Sequence, residues 1–181
     1  STRRTGWSVA NGQIDLAIIG GQLPSDLEDL LEVIPYATDE LALVLPTKHP
    51  LANKRELMKE DLYKMNFVTL DSQSTTRKVV DKLLKDSGLD IQRLKIEMEL
   101  NSLEAIKNAV QSGLGASFLP VVSIERELAG GSIHKPFVTD LEVKRELKLI
   151  TNPSRYTSRA SEAFKKYILP QFASPESPLR Q

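Results

Sequence analysis

The sequence contains no cysteine, which excludes disulfides, thiolate metal sites and cysteine nucleophiles together. Its two histidines, His49 and His134, are too few for a histidine-based metal centre. No apolar run approaches the ~20 residues of a membrane span. No basic-then-apolar leader opens the chain, so the expected compartment is the cytoplasm. The formal net charge is +0, whereas a domain that grips nucleic-acid phosphates carries a basic excess. This segment is therefore not expected to read DNA itself. Catalytic signatures are missing as well: there is no GxxxxGK phosphate loop, no GxSxG elbow and no HExxH pair. Gly20-Gly21 and Gly130-Gly131 lack the spacing of a dinucleotide fingerprint. Glu97 and Glu99 share one strand face and would be the only carboxylate pair, but charged strand residues are mostly solvated. His49 sits beside Pro50 in a polar turn and His134 follows a turn, and neither has a partner in sequence that suggests chemistry. No enzyme and no cofactor are expected.

What is present is a chain of 181 residues, 40% hydrophobic and 27% charged, enough for one ordinary domain or two small lobes. It opens on Ser1-Thr2-Arg3-Arg4-Thr5 and reaches a helix-like stretch around Trp7 almost at once, as a fragment lacking its N-terminal portion would. Ile14 to Ile19 (IDLAII), closed by Gly20-Gly21, predicts a buried parallel strand. Pro24 to Asp29 reads as loop. The run VIPYATDELALVLP from Val33 suggests two extended pieces, the second stopped by Pro46. Leu57 to Tyr63 suggests a short helix and Asn66 to Leu70 a buried strand. Ser74 or Thr75 caps a helix running to Ser87, with Val79, Val80, Leu83 and Leu84 facing the core and Gly88 ending it. Leu94 to Leu100 (LKIEMEL) alternates like a strand.

An amphipathic helix from Leu103, capped by either Asn101 or Ser102, ends at Gly113. Gly115 to Pro120 predicts a strand, Ser123 to Leu128 a helix, and Arg145 to Thr151 another strand. The last helix runs from about Ser158 to Leu169 and stops at Pro170, and the Pro- and Ser-rich residues 173–181 form a flexible tail. Strands alternating with helices imply an α/β fold with a mostly parallel sheet.

Ligands in such sheets bind beyond the carboxyl ends of strands, where helix N-termini gather. Ser72, Gln73, Ser74 and Thr75 cluster at one such place, and Asn101 with Ser102 at another. Hydroxyls, amides, free backbone N–H groups and the helix dipole together hold small anions. Capping alone explains one residue at each place, so both readings stay open on the residues themselves. Arg77, in the first turn of its helix, opposes the dipole by about 0.3–1 kcal/mol unless it has an anionic partner or faces water.

Three stretches then resemble the regulatory domains of LysR-type transcriptional regulators, in the right order across nearly the whole chain. These are Asn11 to Ile18 (NGQIDLAI), Leu41 to Pro46 with Lys48-His49-Pro50-Leu51, and Ser102 to Pro120 ending in SGLGASFLP. TRRTGWSVANGQIDLAIIGG with MELNSLEAIKNAVQSGLGASF is similar to the cyanobacterial and plastid subgroup that controls Rubisco, inorganic-carbon uptake or NADH dehydrogenase genes. The resemblance implies two Rossmann-like lobes joined by two crossing strands, like a type 2 periplasmic binding protein, with the first lobe truncated at its N-terminus. Residues 1–36 with 150–172 would form lobe I and residues 37–149 lobe II.

It also implies an effector site to which Thr2, Asn101 and Ser102 would contribute, with Ser72 to Thr75 matching less firmly. The effector would be a small organic anion: 2-oxoglutarate, 2-phosphoglycolate and ribulose 1,5-bisphosphate are the candidates the subgroup suggests. The family's partners are further copies of itself, as dimer or tetramer, and DNA through a winged helix-turn-helix that has no counterpart in this sequence. A periplasmic-type solute-binding protein and a small bilobal α/β enzyme share the fold logic and are the rival readings.

Overall fold

In the computed structural model, residues 1–173 are described. The expected flexible tail lies, beyond Ala173, outside the described residues. The chain divides into two compact units, Ser1–Thr38 with the chain from Arg145 onward, and Asp39–Lys144.

The first unit opens with α1 (Thr2–Ala10), whose buried face is Gly6, Val9 and Ala10, followed by β1 (Leu16–Ile19). Residues expected as loop instead form a short helix, α2 (Ser25–Glu28), because Leu27 turns inward and is fully buried. The segment after it is one strand, β2 (Glu32–Pro46), 15 residues long, where two pieces were expected. Pro35 lies inside it without ending it, since its fixed φ is compatible with extended backbone. β9 (Lys144–Thr151) brings the chain back into this unit, pairing antiparallel with β1 from Leu16↔Thr151 to Ile19↔Lys148 and lying beside β2. The expected parallel β1 is thus antiparallel, because the strand that meets it returns from the far end of the chain. Val9, Ala10, Ile19, Leu27, Leu31 and Ile150 form this unit's core.

The last helix, α6, spans Arg159–Ala173 and runs past Pro170, where a stop was expected. A proline there forfeits its own N–H bond, and the helix continues. Asp15 secures the start of α6: its carboxylate accepts from the Ser158 hydroxyl at 2.6 Å and the Ser161 hydroxyl at 2.7 Å. These bonds hold its pKa below the usual carboxylate range. The aspartate of the NGQIDLAI stretch is therefore a helix anchor.

The second unit holds the second part of β2 and β3 (Glu56–Leu57), β4 (Asn66–Leu70), α3 (Thr75–Asp86), β5 (Lys95–Leu100), α4 (Leu103–Gln111), β6 (Ser117–Pro120), α5 (Glu125–Ala129), β7 (Ile133–His134) and β8 (Phe137–Val138). The helix expected at Leu57–Tyr63 is β3 followed by a 3-10 turn, Lys59–Lys64. β4–β5 and β3–β8 pair parallel, as does the contact of Phe67 with Ala116. β2 runs antiparallel to both β6 and β7, so the expected mostly parallel sheet is in fact mixed. Hydrophobic periodicity identifies strands but carries no information on their direction.

β4 sits between two cores. Phe67 packs into the cluster of Leu43, Met65, Val80 and Leu84 under α3, while Val68 packs into the cluster of Val44, Ile106, Val110 and Leu119 under α4. Consecutive strand residues face opposite sides, so one strand joins both layers. A register shift between Phe67 and Val68 pairs Phe67 with Ile96 and Val68 with Met98, leaving Glu97 as the extra residue of a bulge. Met98, which simple alternation would bury, is consequently 39% exposed.

Gly115 is where the α4–β6 connection passes closest to β4: a Cβ there would lie 2.7 Å from the Asn66 carbonyl oxygen. Backbone cannot swing aside as a side chain can. Gly115→Ala is therefore expected to lower stability by about 1–3 kcal/mol, the usual cost of overpacking, read as a lower urea midpoint at unchanged slope.

Candidate functional site

The parallel pair β4–β5 places its carboxyl ends side by side, with Leu70 opposite Leu100. The Asp71 N–H donates to the Leu100 carbonyl at 2.9 Å, carrying the pairing one residue past β4. The loops that follow the two strands, residues 71–75 and 101–102, therefore leave from one edge, and each runs into a helix. Six of the seven residues expected from sequence come together there: Ser72, Gln73, Ser74, Thr75, Asn101 and Ser102. Thr2 belongs to the other unit, where it is the first residue of α1 behind its N-cap Ser1.

Local geometry divides the six. Ser102 is the N-cap of α4, its hydroxyl accepting from the Ala105 N–H at 3.5 Å, which decides between the two caps left open above. Asn101 is exposed and precedes the cap. Ser74 is the N-cap of α3 by position, yet its side chain makes no capping bond. The turn is shaped instead by Asp71, whose carboxylate accepts from the Gln73 N–H at 2.9 Å, while the Ser74 N–H donates to the Asp71 carbonyl. Ser72 and Gln73 are exposed, Ser74 and Thr75 half-buried. Asp71 opens the stretch expected at the site from its place after the strand, and its Asx turn before a helix is a legible pattern.

Beneath this edge lies Arg77, its side chain only 14% exposed. Its Nε donates to both carboxylate oxygens of Asp81, at 2.8 and 2.9 Å. Its Nη1 donates to the Thr69 hydroxyl, the Leu70 carbonyl and, at 3.3 Å, the Glu99 carboxylate. The unfavourable dipole position is thus answered by two carboxylates. Glu99 serves as an ion-pair partner and not as half of an acid–base pair with Glu97.

On α4, Lys107 is buried although it is charged. Its ammonium meets Glu104 at 2.7 Å, Glu127 at 2.9 Å and the Ser123 carbonyl at 3.2 Å. These partners hold the Lys107 pKa above the usual lysine value and Glu127 below the usual carboxylate value. His49 accepts at Nδ1 from the Leu51 N–H at 3.2 Å, which closes its turn, and burial pushes its pKa below the usual histidine value. His134 pairs with Leu45 inside a strand ladder.

Among the described residues no group of three or more His, Cys, Asp or Glu side chains is placed to hold a metal ion. No helix among them is long and apolar enough to cross a membrane. A wider groove of about 520 Å³ in the second unit is lined by Leu43, Phe118, Phe137 and Val143 among others. None of the seven expected residues borders it.

An α/β chain of two units, with polar helix starts gathered at the carboxyl edge of a parallel strand pair, has the architecture of a small-molecule-binding domain. Residues 2–173 match the LysR substrate binding domain family, and the chain belongs to that family. It is 60% identical over 176 residues to a probable RuBisCO transcriptional regulator of Trichormus variabilis, covering 97% of this chain and 52% of that protein. It is 55% identical over 175 residues to a protein of the same description in Porphyra purpurea, covering 97% and 55%. The chain spans about half the length of the curated relatives it matches.

Among solved structures, the CcmR regulatory domain of Synechocystis in complex with 2-PG superposes with a TM-score of 0.82 at 23% identity, covering 97% of this chain and 81% of that one. The effector binding domain of QuiR in complex with shikimate gives 0.78 at 24% identity, covering 96% and 78%. The fold is that of LysR regulatory domains, as the sequence motifs implied.

Proposed function

We propose that this chain is the effector-sensing regulatory domain of a transcription factor controlling carbon-fixation or inorganic-carbon-uptake genes. It binds a small organic anion at the edge formed by residues 71–75 and 101–102, and Thr2 is kept as the candidate that the family resemblance adds. The two units act as the family's regulatory lobes, and the ligand favours one conformation through its differential affinity for the two states. The change passes through self-association to DNA-binding domains outside this chain, in the cytoplasm. It carries out no turnover.

The observation that carries this reading is the convergence of Ser72, Gln73, Ser74, Thr75, Asn101 and Ser102 on one strand edge. Descriptions of relatives as RuBisCO regulators support the regulatory target, and the ligand of CcmR supports the anion class.

Titration calorimetry of the full-length protein against 2-oxoglutarate, 2-phosphoglycolate and ribulose 1,5-bisphosphate tests it. One of the three is expected to saturate a single site. A hydrogen bond to a charged group contributes about 1.5–3 kcal/mol, so Asn101→Ala and Thr2→Ala should each weaken binding ~10-fold or more. Binding that ignores both substitutions, or no binding by a folded, DNA-competent protein, would overturn the site.

A further inference from the structure

Arg77 makes contacts that reach beyond its own helix. From α3 its guanidinium reaches the Thr69 hydroxyl and Leu70 carbonyl at the end of β4, and the Glu99 carboxylate at the end of β5. Asp81, one turn further along α3, orients the guanidinium through both carboxylate oxygens. Thr69 and Leu70 immediately precede the loop 71–75, Glu99 lies just before Asn101, and α3 itself begins at Thr75. One side chain therefore ties together the three element ends that carry the six polar residues of the edge. A half-buried guanidinium with partners on separate elements fixes their spacing more strictly than a lysine could, since its donors form a rigid fork. The cavity beside Arg77 is about 30 Å³, room for a water molecule but not for an organic acid. A ligand at the edge therefore meets Arg77 only through the loops it holds.

We infer that Arg77 is a positioning residue that sets the distance between the loops 71–75 and 101–102, with Glu99 as its link to the second loop. The effector affinity then depends on a side chain underneath the site. This inference rests on reading the edge as an effector site, and its test separates the two.

Hydrogen exchange of the full-length protein without ligand is compared for wild type, Arg77→Lys, Glu99→Ala and the surface control Lys82→Ala. Arg77→Lys and Glu99→Ala are expected to raise exchange at the amides of both loops, ~10-fold or more, with Lys82→Ala unchanged. Glu99 is 44% exposed in its side chain, so its removal leaves the core packing intact and keeps the test valid should Arg77→Lys fold poorly. A role confined to α3 would raise exchange at residues 76–81 and leave Asn101 and Ser102 as in wild type, and that result overturns the inference. In calorimetry with 2-phosphoglycolate, Glu99→Ala should weaken binding ~10-fold if wild type binds, and equal affinity would again overturn it. If wild type binds none of the three candidate anions the effector reading fails, and the exchange experiment alone decides the role of Arg77.

Discussion

Phe67→Ala should cost about 3–5 kcal/mol of unfolding free energy, the range for truncating a buried aromatic side chain. Phe67 is 1% exposed and lies parallel to the Phe118 ring, 6.2 Å between centroids. It packs with Met65, Val80 and Leu84, which come from the approach to β4 and from α3. Those neighbours belong to different elements and are anchored elsewhere, so they are poorly placed to collapse into the space left behind. The second consequence concerns the edge: β4 delivers residues 71–75, so a loosened Phe67 also releases the strand that positions them. Phe67→Leu, which retains most of the apolar volume, should cost markedly less. Urea unfolding of the two variants beside wild type checks both values, and equal midpoints for alanine and leucine would contradict this account of the α3-side core.

Lys107→Met is expected to cost about 3 kcal/mol, at the lower end for breaking a buried ion pair. The lysine side chain is 10% exposed and that of Glu127 17%, so removing the ammonium strands a carboxylate that water reaches poorly. Glu104, 75% exposed, loses little. The double variant Lys107→Met with Glu127→Leu should recover most of the loss, because replacing both partners by apolar groups is often neutral.

The pH dependence has a definite sign. Glu127 has a lowered pKa in the folded protein, so its contribution is present above the unfolded glutamate value and is lost as pH falls through the folded one. Lys107 has a raised pKa, so its contribution is present below the unfolded lysine value and is lost as pH rises through the folded one. The difference between wild type and Lys107→Met should therefore be flat between about pH 4.3 and about pH 10.4 and shrink beyond either end. Chemical denaturation across that range measures it directly. A difference that grows towards acid would contradict the pairing.

Much of the β4–α3–β5–α4 unit is legible from residue order alone. Period-2 and period-3.6 apolar spacing, hydroxyl caps and terminal glycines all point the same way there, and Gly88 and Gly113 do adopt the left-handed conformation that ends a helix, at φ +86° and +87°. The family motifs are legible for reasons the structure explains. Asp15 anchors α6, His49 closes its turn on Leu51, and Gly115 lets β6 pass against Asn66.

Other features leave no local trace. The antiparallel pairing of β1 with β9 depends on a strand more than a hundred positions away. The bulge that pairs Met98 with Val68 is set by the partner strand and not by LKIEMEL itself. Lys107 sits on the buried face of a helix where periodicity predicts an apolar side chain, and of the partners that make its charge tolerable, the Glu127 carboxylate and the Ser123 carbonyl arrive only with the fold. Helix starts concentrate the six polar residues of the edge, whereas Arg77 stands out in sequence only as a cation in a first helical turn, and its partners on β4 and β5 come with the fold.

The route of the chain also dictates an order of events during synthesis. Asp39–Lys144 is a single uninterrupted stretch, and the Leu41 N–H donates to the Val143 carbonyl at 2.8 Å, so its two ends meet. Everything this stretch needs has left the ribosome before β9 is complete. α1, β1 and α2, which precede this stretch, must wait for it, because the partner that β1 requires follows it in the chain. Domains generally fold as units as they emerge, so Asp39–Lys144 closes while the earlier β1 is still unpaired. Of the two strands that pair across β1 and β9, β1 is therefore the one that waits, open to chaperones and to mispairing along its edge.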